Sequence, residues 1–323
     1  RPIRDEAWAA LHASNYPPSL FQRSGAPACL TLIKGVPEIT PVDATIMFDH
    51  LCSIASWVHR TPDMETPTNP PKELPAVMVK RPHPALPHIE AVVSAPVFDR
   101  QANLIQSPGY HRDARLYMHI ARGNVPIDVP AHPTDAQIAE AIALILNDLF
   151  VDFPFTTPAA RAHAVAALLL PFVRRMIKGP TPVHLIESPS PGTGKTLLAK
   201  IISQIVLGKI VNATSLDLDE QALAKKIIAI LLGAPQIVLI DNVNIRTGLT
   251  SASLAAALTA DPYSERVLYQ SGMTVLPNQA LWLLTANNPT TSLEIARRCV
   301  KDRIASRPPR TGVMHGLERV PPG

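Results

Sequence analysis

The chain has 323 residues, 34 prolines, three cysteines and a formal net charge of +4. That length allows one large or two medium domains, and the widely separated Cys29, Cys52 and Cys299 fit a reducing, cytoplasmic setting better than a disulfide framework. The most apolar run, Ala164 to Val173, is too short to span a membrane and is flanked by Arg161, Arg174 and Arg175, while the mild positive charge permits a polyanionic partner without requiring one.

The first 132 residues read as a loop-rich α+β region of unassigned role. Glu6 to Ala13 suits a short helix, and Leu20 to Arg23 with Cys29 to Ile33 suits a hairpin around Ser24-Gly25. Ile46, Phe48, Leu51, Ile54 and Trp57 recur at helical spacing, which predicts a helix over 45–59. The proline-rich stretch Thr61 to Pro75 reads as a linker. Short strands are expected at Val92-Val93, Pro96 to Phe98, Leu104-Ile105 and Leu116 to Ile120. His111 and His119 have no cysteine or carboxylate cluster around them that would make a metal site.

A second domain is expected over 133–306. Thr134 or Asp135 can cap a helix running to Asn147, and Pro158 suits the first position of a helix to about Ile177. From Pro182 onward strand and helix alternate, the pattern of a parallel α/β sheet. Strands are expected at Val183 to Ile186, Lys209 to Ala213, Gln236 to Ile240, Ala280 to Leu284 and Arg303 to Ala305. Helices are expected at Thr196 to Leu207, Leu218 to Leu232, Ser251 to Thr259 and Leu293 to Arg298. Val267 to Tyr269 and Met273 to Val275, flanking Gln270-Ser271-Gly272, suit a β-hairpin. The Pro- and Arg-rich tail 307–323 reads as disordered or cut short, and a start at Arg1 is expected of a fragment or processed piece.

The chemistry gathers at four places. Ser188-Pro189-Ser190-Pro191-Gly192-Thr193-Gly194-Lys195-Thr196 lies between an apolar strand and a helix, the arrangement of a nucleotide-phosphate loop. Its backbone N–H groups and the helix N-terminus would hold anions, with Lys195 reaching the β- and γ-phosphates and Thr196 offering a hydroxyl to Mg²⁺. Gly192 and Gly194 supply conformations that side chains obstruct. The apolar run Ile237 to Ile240 delivers Asp241 at its carboxyl end, where a carboxylate can hold Mg²⁺ opposite Thr196. Asn242 follows where many ATPases carry a glutamate, and an amide can orient water but cannot take a proton from it. Glu187, Asp217, Asp219 and Glu220 are the other carboxylates of the region, with no basis for choosing among them. The strand Leu281 to Ala286 ends in Asn287-Asn288, either of which can hydrogen-bond a γ-phosphate or a water. A basic cluster follows: Arg297, Arg298, Lys301, Arg303, Arg307 and Arg310. It suits an arginine finger, nucleic-acid phosphates or simply a solvated terminus.

Together these motifs resemble the core of AAA+ P-loop ATPases, and more narrowly the helicase-like ATPases of phages and plasmids. Those include the superfamily 3 helicases and the ATPase part of poxvirus-type primase-helicases. The resemblance covers about residues 134–305. It implies a P-loop NTPase sheet binding ATP and Mg²⁺, with Pro191, Gly192, Thr193, Gly194, Lys195, Thr196 and Asn288 at the nucleotide. It further implies Thr196 and Asp241 at the metal, Asn287 as the sensor and Arg298 as a finger reaching a neighbouring subunit. The hairpin would grip single-stranded or duplex DNA inside a ring, a hexamer in this family, during mobile-element replication. Pro189 in place of the first glycine, Asn242 in place of the acid, and the absence of lid helices depart from the family pattern. They leave two alternatives open: a nucleotide-responsive assembly module with little turnover, or a protein remodeller.

Overall fold

The computed structural model describes residues 2–33, 35–120, 128–216, 219–243, 249–266 and 273–306. Asp217, the hairpin tip Val267 to Gly272, Arg307, Arg310 and the remainder of 307–323 lie outside the described residues, as does the side chain of Arg266.

The N-terminal region begins with helix α1 (Pro2–Ser14) and an antiparallel three-stranded sheet, β1 (Leu20–Arg23), β2 (Ala26–Ile33) and β3 (Val36–Pro41). Arg23 pairs with Ala26 across Ser24 (φ 50°) and Gly25 (φ 80°), a two-residue turn that needs left-handed backbone at both positions. The third strand adds to the expected hairpin. Helix α2 (Ala44–Ile54) starts at Asp43, whose side chain accepts the Ile46 N–H. It stops before the expected end at His59. Trp57 falls instead in strand β4 (Trp57–Arg60), and its indole N–H reaches back to the Leu51 carbonyl at 2.9 Å. The ring therefore still covers the helix's apolar face, which explains the apparent helical spacing. The expected linker is also ordered: β4 pairs with β5 (Glu65–Thr68), and α3 (Leu74–Lys80) follows. Short strands β6 (Ala91–Val93), β7 (Val97–Phe98), β8 (Leu104–Ile105), β9 (Gly109–His111) and β10 (Leu116–Met118) complete the region.

Helix α4 (Asp135–Ala143) opens with a reciprocal Thr134/Gln137 capping box, then continues as a π-helical turn over Leu144–Leu149. No residue of α4 is buried, although its apolar spacing predicts a packed face. Periodicity specifies a face; it does not guarantee that the same chain supplies the cover. Helix α5 (Pro158–Val173) takes Pro158 in its first turn, capped by Thr157.

The core is a four-stranded parallel sheet of β11 (Val183–Ser188), β12 (Ile237–Val243), β15 (Leu281–Asn287) and β16 (Cys299–Arg303), in the order β12-β15-β11-β16. The expected strand 209–213 is replaced by a single parallel bridge, Thr214 to Ile240. The last strand starts four residues before Arg303 and ends there, rather than running from 303 to 305. Helices α6 (Lys195–Leu207), α7 (Glu220–Leu232), α8 (Ala252–Thr259) and α9 (Leu293–Ala296) connect the strands, and β13 (Tyr263–Arg266) pairs antiparallel with β14 (Met273–Leu276) before β15.

Alternation along each strand sorts the core into two faces. Leu185, Val238, Ile240, Trp282 and Leu284 pack with α7 and α8. Ile186, Ile237, Leu239, Leu281 and Leu283 pack with α5 and α6. Strands buried on both faces read as unbroken apolar runs, which is why these were recognisable. Among the described residues, no helix is long and apolar enough to cross a membrane.

The N-terminal region docks at the amino end of this sheet. Arg23 donates from Nη1 to the Leu232 carbonyl at 2.6 Å and from Nη2 to the Leu231 carbonyl at 2.8 Å, placing its positive charge at the C-terminus of α7. Arg175 pairs with Glu90 at 2.6 Å, and Lys209 with Glu38 at 3.4 Å.

Candidate functional site

The carboxyl ends of β11, β12 and β15 lie side by side in the sheet, and the Ser188–Thr196 loop leaves the first of them. The chain leaves β11 for the β12 side of the sheet, and later crosses to β16 on the other side. Such a switch of direction opens a crevice at the carboxyl ends of the strands.

The Ser188–Thr196 loop turns through Gly192 (φ 74°) and Gly194 (φ 99°) into α6. A Cβ on Gly192 would meet nothing within 4 Å, so conformation, not space, selects glycine there. Beside Gly194 lies the Phe153 ring, which flanks the loop from the segment before α5. Ser188 Oγ donates to the Ser190 carbonyl at 3.0 Å and bridges Pro189, the position where a glycine was expected. Lys195 is only 8% exposed. Its ammonium folds back onto the loop, donating to the Ser190 carbonyl at 2.9 Å and to Thr193 Oγ1 at 3.1 Å. Burial lowers its pKa, and the nearby Asp241 carboxylate works in the opposite direction. The amine thus has only neutral acceptors at hydrogen-bond distance.

Thr196 and Asp241 are 45 residues apart in sequence, yet Thr196 Oγ1 donates to Asp241 Oδ1 at 2.8 Å. Adjacent oxygens on an octahedral Mg²⁺ with ~2.0–2.1 Å bonds stand about 2.9 Å apart, so this pair suits two neighbouring coordination positions. A single carboxylate and a hydroxyl, with ligand phosphates and water, match the sparse protein coordination usual for that ion. Among the described residues, no group of three or more His, Cys, Asp or Glu side chains could form an all-protein cage.

A residue not singled out by its sequence completes the cluster. Thr285 Oγ1 donates to Asp241 Oδ1 at 2.5 Å and accepts the Asn242 N–H at 2.7 Å. Its only sequence signal was to be the one polar residue in the run Leu281 to Ala286. Asn242 itself has φ 53° and an exposed side chain, at a bulge where the pairing shifts between Ile240 and Val243.

Asn287 pairs in register with Ser188, and the Asn288 N–H donates to the Ser188 carbonyl at 3.0 Å. Both asparagines are exposed at the mouth of the crevice. Arg298 lies elsewhere. Its carbonyl accepts the Val183 N–H at 2.9 Å, at the start of β11, and its side chain pairs with Glu294 at 3.6 Å. The length of β11, roughly 20 Å, separates it from its own loop.

Three of the remaining carboxylates already have structural partners. Glu187 lies 3.8 Å from Lys301 and 3.7 Å from Arg303. Asp219 caps α7 by accepting the Ala222 N–H at 2.7 Å, and Glu220 accepts from Ser251 Oγ and the Ser253 N–H, tying α7 to α8. No protein-family model and no curated protein matches the chain.

Proposed function

We propose that the chain binds ATP with Mg²⁺ in this crevice, as the core of a AAA+-type P-loop ATPase. The observation that carries the reading is the meeting of Thr196 with Asp241, beside a glycine loop that opens directly into α6. In this reading the loop amides and Lys195 hold the phosphates, Pro191 and Thr193 shape the loop, and Thr196 and Asp241 hold the cation. Bound Mg²⁺ would neutralise charge on the β- and γ-phosphates. Asn287 and Asn288 orient water or the terminal phosphate from the neighbouring strand tip. Arg298, remote from its own loop, would serve a neighbouring copy in a ring.

The reading extends to a helicase-like motor on DNA. Its support is the hairpin formed by β13 and β14 immediately before β15, together with the resemblance of the motif order. One observation favours a slower, nucleotide-responsive module instead. Asn242 follows Asp241, its side chain is exposed, and Glu187, Asp219 and Glu220 are otherwise engaged.

The test is ATP binding by calorimetry with Mg²⁺ present. Lys195→Ala should weaken binding by about 10- to 100-fold, the worth of ~1.5–3 kcal/mol for a hydrogen bond to a charged group, with an unchanged circular dichroism spectrum. Equal affinity in the two proteins would refute the assignment. Phosphate release that rises with single-stranded DNA supports the motor; tight binding with negligible release supports the module.

A further inference from the structure

We infer that Thr285 is a positioning residue that presents the Asp241 carboxylate to a divalent cation, a role that rests on the Mg²⁺-nucleotide reading above. A buried threonine in a strand usually needs nothing beyond packing, or returns its hydroxyl to its own backbone. Thr285 is 1% exposed, and the hydroxyl contacts found for it reach the neighbouring strand: Asp241 Oδ1 at 2.5 Å and the Asn242 N–H at 2.7 Å.

The proton count fixes the direction of these bonds. A hydroxyl has one proton to give. Its oxygen accepts from the Asn242 amide, which can only donate, and its proton goes to the carboxylate. Asp241 Oδ1 therefore receives two donors from different elements: Thr285 from β15, and Thr196 at 2.8 Å from the first turn of α6. When Thr196 turns its lone pairs to a cation, Thr285 still holds the carboxylate from the strand side.

The bulge explains why such a hold is needed. Ile240 is opposite Leu284 and Val243 is opposite Ala286, so Asp241 and Asn242 together face Thr285 alone. An extra residue removes the regular ladder bond that would otherwise anchor the backbone at this point. The left-handed Asn242, φ 53°, would leave its N–H unpaired without the threonine oxygen. The Asp241 N–H is held from the other side by the Thr214 carbonyl at 3.2 Å, and on the β15 side one hydroxyl ties down both the bend at Asn242 and the carboxylate that the bend delivers. Groups that orient a metal-ligating side chain typically change metal affinity by about 10- to 100-fold when removed.

The test compares Thr285→Val, which keeps the shape and removes the hydroxyl, with Thr285→Ser, which keeps the hydroxyl. ATP affinity is measured through a Mg²⁺ titration and again in EDTA. The valine variant should need about 10- to 100-fold more Mg²⁺ for half-maximal binding, with little change in EDTA, and serine should restore most of the wild-type response. In the ligand-free protein, hydrogen exchange at the Asn242 amide should speed up in the valine variant and stay slow in the serine variant. A valine variant with the wild-type Mg²⁺ midpoint, or one that loses as much affinity in EDTA, overturns the role of Thr285 alone. Wild-type protein that binds no ATP at any Mg²⁺ concentration overturns the nucleotide reading and this inference with it.

Discussion

Replacing Arg174 with methionine should unfasten the base of the β13–β14 hairpin. Arg174 is 2% exposed, and its guanidinium faces three carbonyls and a carboxylate. Nη1 donates to the Ile177 carbonyl at 3.1 Å, while the two protons of Nη2 go to the carbonyls of Gly179 at 2.9 Å and Asn278 at 3.0 Å, with Asp261 Oδ2 at ion-pair distance, 3.4 Å. Asp261 precedes β13 and Asn278 follows β14, so one side chain spans both feet of the hairpin. Asn278 extends the network, donating to the Ala257 carbonyl at 2.6 Å and accepting from the Trp282 indole at 3.0 Å. Methionine fills much of the space but removes the donor to three carbonyls and the cation beside Asp261, whose carboxylate keeps the Gln279 amide and the Asn278 N–H. Removing one partner of a buried pair costs ~3–5 kcal/mol. Part of that is returned, because burial penalises the guanidinium and lowers its pKa, with Asp261 pulling the other way. A net loss of ~3 kcal/mol in urea unfolding at neutral pH is expected. Arg174→Lys should recover only a fraction, since an ammonium cannot span the same fork. Losses below ~1 kcal/mol in both variants would refute the argument that this cation holds the hairpin base.

Asp302 gives a pH-dependent test. It is 1% exposed, hydrogen-bonded to His184 at 3.0 Å, and its Oδ1 has no partner. Burial raises its pKa against the pull of His184 and His163. The folded chain therefore keeps a proton that the unfolded chain releases, so this contribution is complete below the unfolded carboxylate pKa near ~3.9 and is lost as the pH rises through the folded value. Urea stabilities of wild type and Asp302→Asn should diverge with rising pH, wild type falling behind; a flat or opposite difference would contradict the assignment. Asp219→Ala removes the α7 cap and should cost ~1 kcal/mol by thermal or urea unfolding, with no measurable cost counting against that role.

What could be read in the sequence was what is local. The helix starts at Ser251 and Ser292 follow from side chains accepting an N–H three residues on, and β11, β12 and β15 follow from largely apolar runs, whereas β16, with Lys301, Asp302 and Arg303, was misplaced. Asp241 was legible because it ends such a run, and Lys195 and Thr196 because they close a glycine loop between a strand and a helix. Thr285 was not, since its meaning depends on a carboxylate 44 residues away across a bulge. Proline content misled in the N-terminal region: Pro67 is accepted in β5 because that strand has a single neighbour, β4. The spacing through Trp57 misled for another reason, since an indole can cover a helix from the strand that follows it.

The sheet order also constrains how the molecule comes into being. β11 is the first core strand to be synthesised, yet both of its neighbours arrive late: His184 pairs with Leu283 and with Val300. At ribosomal rates of about 5–20 residues per second, the central strand waits several seconds for either partner. Until then its apolar residues have only helices to shelter them, and its backbone amides have no strand partner. Contacts this distant in sequence also make folding slow. Between the emergence of Ser188 and that of Asn287, β11 is therefore a strand with two open edges, the condition under which pairing with a wrong chain competes with folding.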